Sequence, residues 1–107
     1  MESLGELELI VLLAVLRSGE GAYGVPVQQE IERTAQRALA LATIYKTLAR
    51  LETKALVTSQ LGEPTAERGG RAKRYFTVTA AGRQAVRESL ATLHRMSIGL
   101  DVGMDAT

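Results

Sequence analysis

The first helix predicted from the hydrophobic pattern is apolar on every side. Residues Leu4 to Arg17 carry no polar position between Leu9 and Leu16, and a helix of this kind must be covered on more than one side. A chain of 107 residues buries only about two-thirds of its unfolded surface, which suits one compact domain. Such a domain cannot cover this helix alone, so we expect a partner to share it.

The second predicted helix follows a turn-rich break at Gly19, Gly21 and Gly24. Pro26 suits the first turn of that helix, because its missing N–H costs nothing there. One apolar stripe at a spacing of four residues marks the buried side: Val27, Ile31 and Ala35. Residues 39–41 are too few for a helix of their own and are predicted as a brief strand.

The third predicted helix runs from Ala42 to Lys54 and has two contrasting faces. Apolar residues recur at i, i+4 and i+7 on the face that we expect to meet the core: Ile44, Leu48 and Leu51. The opposite face is basic, hydroxylic and small: Thr43, Lys46, Ala49, Arg50 and Thr53. Because it carries no large aliphatic side chain, this face is suited to enter a DNA groove and make polar contacts.

A β-hairpin and a last helix complete the pattern. The segments Leu56 to Leu61 and Lys73 to Thr79 are rich in Val, Thr and aromatic residues, and the stretch between them is rich in Gly and Arg. They predict two strands with a long tip. Thr79 is suited to N-cap the helix that follows. Apolar residues lie along one side of this helix: Val86, Leu90, Leu93 and Leu100. Gly99 and Gly103 indicate that it ends early.

The order of these elements predicts an α+β, mainly helical fold. It is the order of a winged helix-turn-helix, with three helices and a β-hairpin wing, followed by a C-terminal dimerisation helix. Residues 1–79 would form the DNA-binding domain, residues 80–98 the dimerisation helix and residues 99–107 a flexible tail. The third helix would be the recognition helix. Apolar residues of the first and last helices are predicted to form the dimer interface: Leu4, Leu7, Val11, Val86, Leu90 and Leu93.

The net charge of +1 hides an uneven distribution of charged residues. Residues 1–32 carry one basic and six acidic residues, whereas residues 33–74 carry nine basic and three acidic ones. The middle of the chain therefore has an excess of six positive charges, as a nucleic-acid footprint would. At this point a merely solvated charged face explains the pattern equally well.

The tip of the hairpin, residues 63–74, has two glycines between arginines. Such a loop is slim, and arginine suits a narrow minor groove because its guanidinium sheds water more readily than an ammonium does. Arg68 and Arg71 are therefore predicted to contact DNA from the wing tip. The alternative is an exposed loop kept soluble by its charge, and the basic third helix nearby favours the DNA contact.

With these segments in place, the chain resembles the PadR family of transcription regulators. The resemblance runs from Leu4 to about Leu93, and four segments carry it: Gly5 to Glu8, Gly21 to Gly24, Ala42 to Leu48, and Glu67 to Arg83. It implies a dimeric repressor or activator with a winged helix and a C-terminal dimerisation helix. We favour a repressor that binds an inverted-repeat operator as a homodimer.

The chain departs from the family pattern at both ends of the recognition helix and within it. Lys46 stands where the family often has a proline, which adds a charge on the DNA side and is expected to alter base preference. Ala40 replaces the usual polar N-cap, and Ala55 replaces the usual glycine after the helix. Each end of the helix therefore lacks a stabilising capping residue, and the missing N-cap side chain would contribute about 0.5 to 2 kcal/mol.

The residues predicted to contact DNA lie on the recognition helix and the wing: Thr43, Tyr45, Lys46, Thr47, Arg50, Arg68, Arg71 and Lys73. For Tyr45 two interpretations remain open, because the resemblance implies a hydrogen bond to a phosphate while a tyrosine beside a core stripe also packs structurally. A winged helix used only for protein contacts would carry apolar residues on its outer face, and Lys46 argues against it. RNA binding is disfavoured, because the sequence offers no surface row of aromatic side chains on which bases could stack.

Several other classes of function are disfavoured by composition. The chain has no cysteine and only one histidine, His94, so we expect no metal site, no cofactor and no enzymatic activity. The apolar run from Leu9 to Leu16 is far shorter than the ~17 to 25 residues of a membrane span, and we expect a cytoplasmic protein. The expected partners are double-stranded DNA, a second copy of the chain and a small-molecule effector whose identity the sequence leaves open.

Overall fold

Four helices and one antiparallel hairpin form the protein in a computed structural model that describes residues 4–62 and 73–102. The helices are α1 (Glu6–Ser18), α2 (Gly24–Ala35), α3 (Leu41–Thr53) and α4 (Ala80–Ser97). A turn of 3₁₀ helix, Gly19–Gly21, joins α1 to α2, and the strands β1 (Val57–Leu61) and β2 (Arg74–Val78) follow α3. The predicted mainly helical α+β fold with a hairpin wing is confirmed.

The core forms around α1, which contacts α2, α3, β2 and α4. Val11 and Leu12 at its centre are fully buried in the core that α1 forms with these elements. The apolar stripes predicted for α2 and α3 supply the facing surfaces, and their central members are buried: Val27, Ile31, Ile44, Leu48 and Leu51. The expectation that α1 must be covered on several sides is therefore met largely by the rest of the same chain.

The hairpin pairs β1 with β2 in register from Val57 opposite Val78 to Leu61 opposite Arg74. The free edge of β2 is held by the turn between α1 and α2, because the Phe76 N–H donates to the Ala22 carbonyl over 2.7 Å. Phe76 itself is buried in the core. The base of the wing is thus fixed to the first half of the domain as well as to α3.

The junction between the hairpin and α4 depends on Thr79. Its hydroxyl accepts the Gly82 N–H over 3.0 Å, so Thr79 is the N-cap that the sequence predicts. The same hydroxyl donates to the Ala55 carbonyl over 2.8 Å, and the Thr79 N–H donates to the Leu56 carbonyl over 3.0 Å. The last two of these hydrogen bonds attach the start of α4 to the segment that follows α3.

One predicted element is wrong. Residues 39–41 form no strand, because Leu39 and Ala40 are irregular and Leu41 already belongs to α3. The Leu39 carbonyl accepts the side-chain amide of Gln28 over 2.9 Å instead of pairing with another strand. The helix α1 also begins later than predicted, at Glu6, where Gly5 is the N-cap residue.

Candidate nucleic-acid interface

The exposed side of α3 is the face that the sequence predicts to meet DNA. Lys46 and Arg50 are exposed on it, Tyr45 is 40 % exposed, and Thr43 is half-buried at its margin. The buried stripe of the same helix is packed in the core, so α3 is fixed with this side toward solvent. The result is a rigid helix surface with two cations and a phenol available to a ligand.

Thr47 does not belong to this surface, and its prediction as a DNA contact is wrong for the structure described. It is 2 % exposed, and its hydroxyl donates to the Thr43 carbonyl one turn earlier over 2.9 Å. Because the turn of the helix places position 47 beside Ile44 and Leu48, its methyl group joins the core. The hydroxyl is satisfied within α3 and has no need of another partner.

Tyr45 lies against the amino-terminal end of α2. A Cβ atom added to Gly24 would overlap the Tyr45 hydroxyl and lie 2.7 Å from its Cε2 atom. The ring therefore occupies the space that a side chain at position 24 would need. The structural interpretation of Tyr45 is supported, because its ring packs on α2, and the hydrogen bond from Tyr45 to a phosphate stays a prediction.

The base of the wing carries a cation on an aromatic pair. The Lys73 ammonium lies 4.6 Å from the centroid of the Tyr23 ring and 3.4 Å from the Tyr23 hydroxyl, to which it donates. Tyr75 meets the same ring edge-on, with centroids 5.5 Å apart. A cation–π contact of this kind contributes about 0.5 to 1 kcal/mol at an exposed site. It holds Lys73 next to the turn that precedes α2.

The wing is also linked to the end of α3 through polar side chains. Arg74 Nη1 donates to Ser59 Oγ over 2.9 Å, and Ser59 Oγ donates to Glu52 Oε2 over 2.6 Å. The carboxylate of Glu52 on α3 is thereby hydrogen-bonded to a side chain of the wing. The predicted wing-tip residues Arg68 and Arg71 lie outside the described residues.

A partly buried ion pair connects the carboxyl end of α3 to the first turn of α1. Lys54 Nζ lies 2.8 Å from Glu8 Oε2, and the Gly5 N–H donates to Glu8 Oε1 over 3.0 Å. Burial alone would raise the pKa of Glu8, but the hydrogen bonds from Lys54 and Gly5 outweigh it and hold the pKa below the ordinary 4.5. The sequence reasoning missed this pair, although a carboxylate directly before a long apolar run is a signal for one.

A second carboxylate, Glu30 of α2, collects three donors. It accepts hydrogen bonds from the Thr34 hydroxyl and from the guanidinium groups of Arg17 and Arg33. The Thr34 and Arg17 hydrogen bonds lower the pKa of Glu30 from 4.5 to about 2. Glu30 also lines a groove of about 360 Å³ between α1 and α2, whose other walls include Ile10 and Leu13.

The residues predicted for a dimer interface divide into two groups. Leu90 and Leu93 of α4 are 44 % and 58 % exposed, and Leu4 and Leu7 are half-buried at the margin of the core. Val11 and Val86 are 0 % and 5 % exposed, so their prediction as interface residues is wrong for the structure described. Both side chains belong to the hydrophobic core of the single chain.

Exposed apolar side chains continue beyond the predicted set toward the end of the described chain. All of them are more than half exposed: Met96, Ile98, Leu100 and Val102. Together with Leu90 and Leu93, these residues lie along α4 and the segment after it.

None of the described helices is both long enough and apolar enough to cross a membrane. Within residues 4–62 and 73–102, no cluster of carboxylates and histidine has the makings of a metal site.

Three helices, a paired hairpin and an exposed cationic helix face define a winged helix domain. The chain belongs to the PadR-like family of transcriptional regulators, whose family model matches residues 12–88. None of the curated proteins compared with the chain matches it significantly.

Solved structures show the same fold. A PadR-like transcription factor from Bacteroides fragilis is 24% identical, with a TM-score of 0.71 over 85% of this chain and 82% of that one. A PadR family transcription regulator from Clostridium difficile R20291 is 18% identical, with a TM-score of 0.73 over 87% and 92%. A PadR family regulator from Eggerthella lenta DSM 2243 is 25% identical, with a TM-score of 0.67 over 85% and 79%.

Proposed function

We propose that the protein is a cytoplasmic, non-enzymatic repressor that binds an inverted-repeat operator in double-stranded DNA as a homodimer. The observation that carries this proposal is the exposed face of α3, where Lys46 and Arg50 stand on a helix whose opposite side is locked in the core. An α-helix fits the major groove of B-DNA, and cations on it neutralise phosphates and meet base edges.

The wing supports the same assignment. Lys73 is held beside the turn before α2 by the Tyr23 ring, and Arg74 is exposed on the neighbouring strand position. Both cations belong to the hairpin whose β1 strand follows α3 along the chain. A winged helix uses its hairpin against the DNA backbone or the adjacent minor groove, so Arg68, Arg71 and Lys73 are proposed as the wing contacts.

The dimer is proposed from the apolar surface that α4 leaves uncovered. Leu90, Leu93 and the apolar residues that follow them are all exposed along α4 and the segment after it, and monomers rarely expose large apolar patches. We propose that a second copy of the chain covers it, with Leu4 and Leu7 contributing at the edge. Two-fold pairing then presents two recognition helices, so the operator half-sites should lie about 34 to 36 Å apart, one turn of DNA.

Binding of the full-length protein to the DNA upstream of its own coding sequence tests the proposal. Fluorescence anisotropy with a labelled duplex should show binding that unlabelled specific DNA displaces and random duplex displaces far less. Arg50→Ala should weaken this binding, whereas Arg87→Ala on α4 should leave it unchanged as a matched loss of charge. A protein that binds none of its upstream DNA better than random duplex would instead be a protein-interaction module. A promoter–reporter assay, with higher expression when the protein is removed, tests repression.

A further inference from the structure

The row of α3 residues farthest from the core has a distinctive composition. Each residue of an α-helix turns by about 100°, so the residues diametrically opposite the buried stripe form one line: Ala42, Lys46, Ala49 and Thr53. All four are exposed. Three of them have short side chains, and Lys46 is the long one. A single cation therefore projects from an otherwise low ridge.

The other candidate contacts on α3 lie beside this ridge rather than on it. Tyr45 is on one flank, against α2, and Arg50 is on the other flank. A helix with side chains is about 10 to 12 Å wide and the major groove is about 12 Å wide, so flanking residues meet the phosphate walls. The ridge meets the base edges on the floor of the groove. Lys46 is thus placed toward bases, whereas Arg50 is placed toward phosphates.

The surroundings of Lys46 leave its ammonium available. Within the described part of the chain, no carboxylate pairs with Lys46, whereas Lys54 of the same segment is paired with Glu8. The methyl groups of Ala42 and Ala49, one turn before and almost one turn after Lys46, let the helix backbone approach the groove floor closely. A lysine side chain is long enough to reach a base edge from there.

We propose that Lys46 specifies a guanine in each operator half-site, an inference that rests on the proposed DNA-binding function. Guanine presents two adjacent acceptors in the major groove, O6 and N7, and the ammonium donates to both. Adenine pairs its N7 acceptor with an N6 donor, and cytosine presents a donor, so both are disfavoured. The Ala42 and Ala49 methyl groups favour thymine methyl groups at the neighbouring positions.

Selection from a random duplex pool tests this proposal, because it works whatever the operator sequence is. The full-length parent, Lys46→Ala, Lys46→Gln and Arg50→Ala are each bound to the pool, and the bound sequences are read and their affinities measured. The parent should prefer guanine at one position of each half-site by about 5- to 150-fold, the discrimination of a good base contact. Lys46→Ala should lose the preference at that position alone, and Lys46→Gln should shift it toward adenine, which glutamine pairs with.

The controls separate a base contact from a general loss of charge. Arg50→Ala should weaken binding while keeping the guanine preference, because a phosphate contact carries no sequence information. Lys46 is exposed, so its variants should keep the parent's circular dichroism spectrum. A Lys46→Ala protein that keeps the guanine preference, or that weakens equally for all four bases, overturns the guanine contact alone. A parent that enriches no sequence overturns the proposed function and this contact together.

Discussion

Replacing Gly82 with alanine should loosen the attachment of α4 to the rest of the domain. Gly82 is buried in the first turn of α4, and a Cβ atom there would overlap the Leu56 carbonyl oxygen and lie 2.7 Å from Val78 Cγ1. The carbonyl cannot simply retreat, because it accepts the Thr79 N–H over 3.0 Å. The methyl group must therefore move α4 away from the segment after α3.

The cost follows from three terms. Overpacking against a fixed neighbour costs about 1 to 3 kcal/mol, and disturbing the Thr79 N-cap adds about 1 kcal/mol. The higher helix propensity of alanine stabilises the helix by about 1 kcal/mol relative to glycine and offsets part of this cost. The free energy of unfolding of Gly82→Ala should therefore fall by about 1 to 3 kcal/mol, which lowers the melting temperature of a domain this size by roughly 5 to 20 °C.

Thermal and urea unfolding followed by circular dichroism would measure this change. The protein concentration must be held constant, because the stability of the proposed dimer would depend on it. Gly21→Ala is the matched control, since a Cβ atom at Gly21 would meet nothing within 4 Å. That control should unfold within about 0.5 kcal/mol of the parent. A Gly82→Ala protein as stable as the control would refute the proposed overlap.

Three further changes test the acidic cluster, the wing and the dimer. Lowering the pH from about 5 toward 2 should destabilise the parent more than Glu30→Gln, as measured by urea unfolding. The folded pKa of about 2 lies below the ordinary 4.5, so the stabilisation is present above 4.5 and is lost as the pH falls through the folded value. Arg71→Ala should weaken binding to all duplexes and reduce the salt slope by about 1, because one phosphate contact is lost. Leu93→Glu should yield monomers in sedimentation and lower DNA affinity with them, because it buries a charge in the proposed interface.

Each of these outcomes has a clear opposite. Parallel pH profiles for the parent and Glu30→Gln would remove Glu30 from the acid response. An Arg71→Ala protein with the parent's salt slope would show that this arginine does not contact phosphate. Ala91→Glu, which is exposed on another side of α4, should leave the dimer intact. A folded, monomeric parent at micromolar concentration would contradict the dimer proposal itself.

Periodicity predicted most of the fold, because the relevant signals are local. The buried stripe of α3 was visible as apolar residues at i, i+4 and i+7, and the N-cap of α4 as a threonine before a helix. The outward position of Lys46 and Arg50 follows from the same period. The class of fold and the orientation of α3 were therefore predictable from the sequence alone.

The hydrophobic periodicity predicts which face of a helix is buried, but it does not predict how wide the buried part of that face is. Thr47 lies at the edge of the α3 stripe, and the neighbouring elements decide that it is buried. For the same reason the apolar pattern places Val11 and Val86 in a dimer interface, although both are buried in the core of the single chain.

Contacts between distant parts of the chain are a separate limit on sequence reasoning. Glu8 and Lys54 are 46 residues apart, and no local pattern relates them. The overlap that Tyr45 would make with any side chain at Gly24 likewise arises from the packing of α3 on α2. These contacts depend on tertiary geometry, which only the folded chain supplies.

The backbone at two helix ends has an evolutionary consequence. Gln36, after α2, and Ala55, after α3, adopt positive φ angles of 57° and 62°, a conformation that glycine adopts more readily than other residues. The chain tolerates this cost at both positions because selection maintains only sufficient stability, and each site holds a reserve of stability that one substitution to glycine would release. Either substitution to glycine would therefore offset part of the stability lost to a destabilising change elsewhere in the domain.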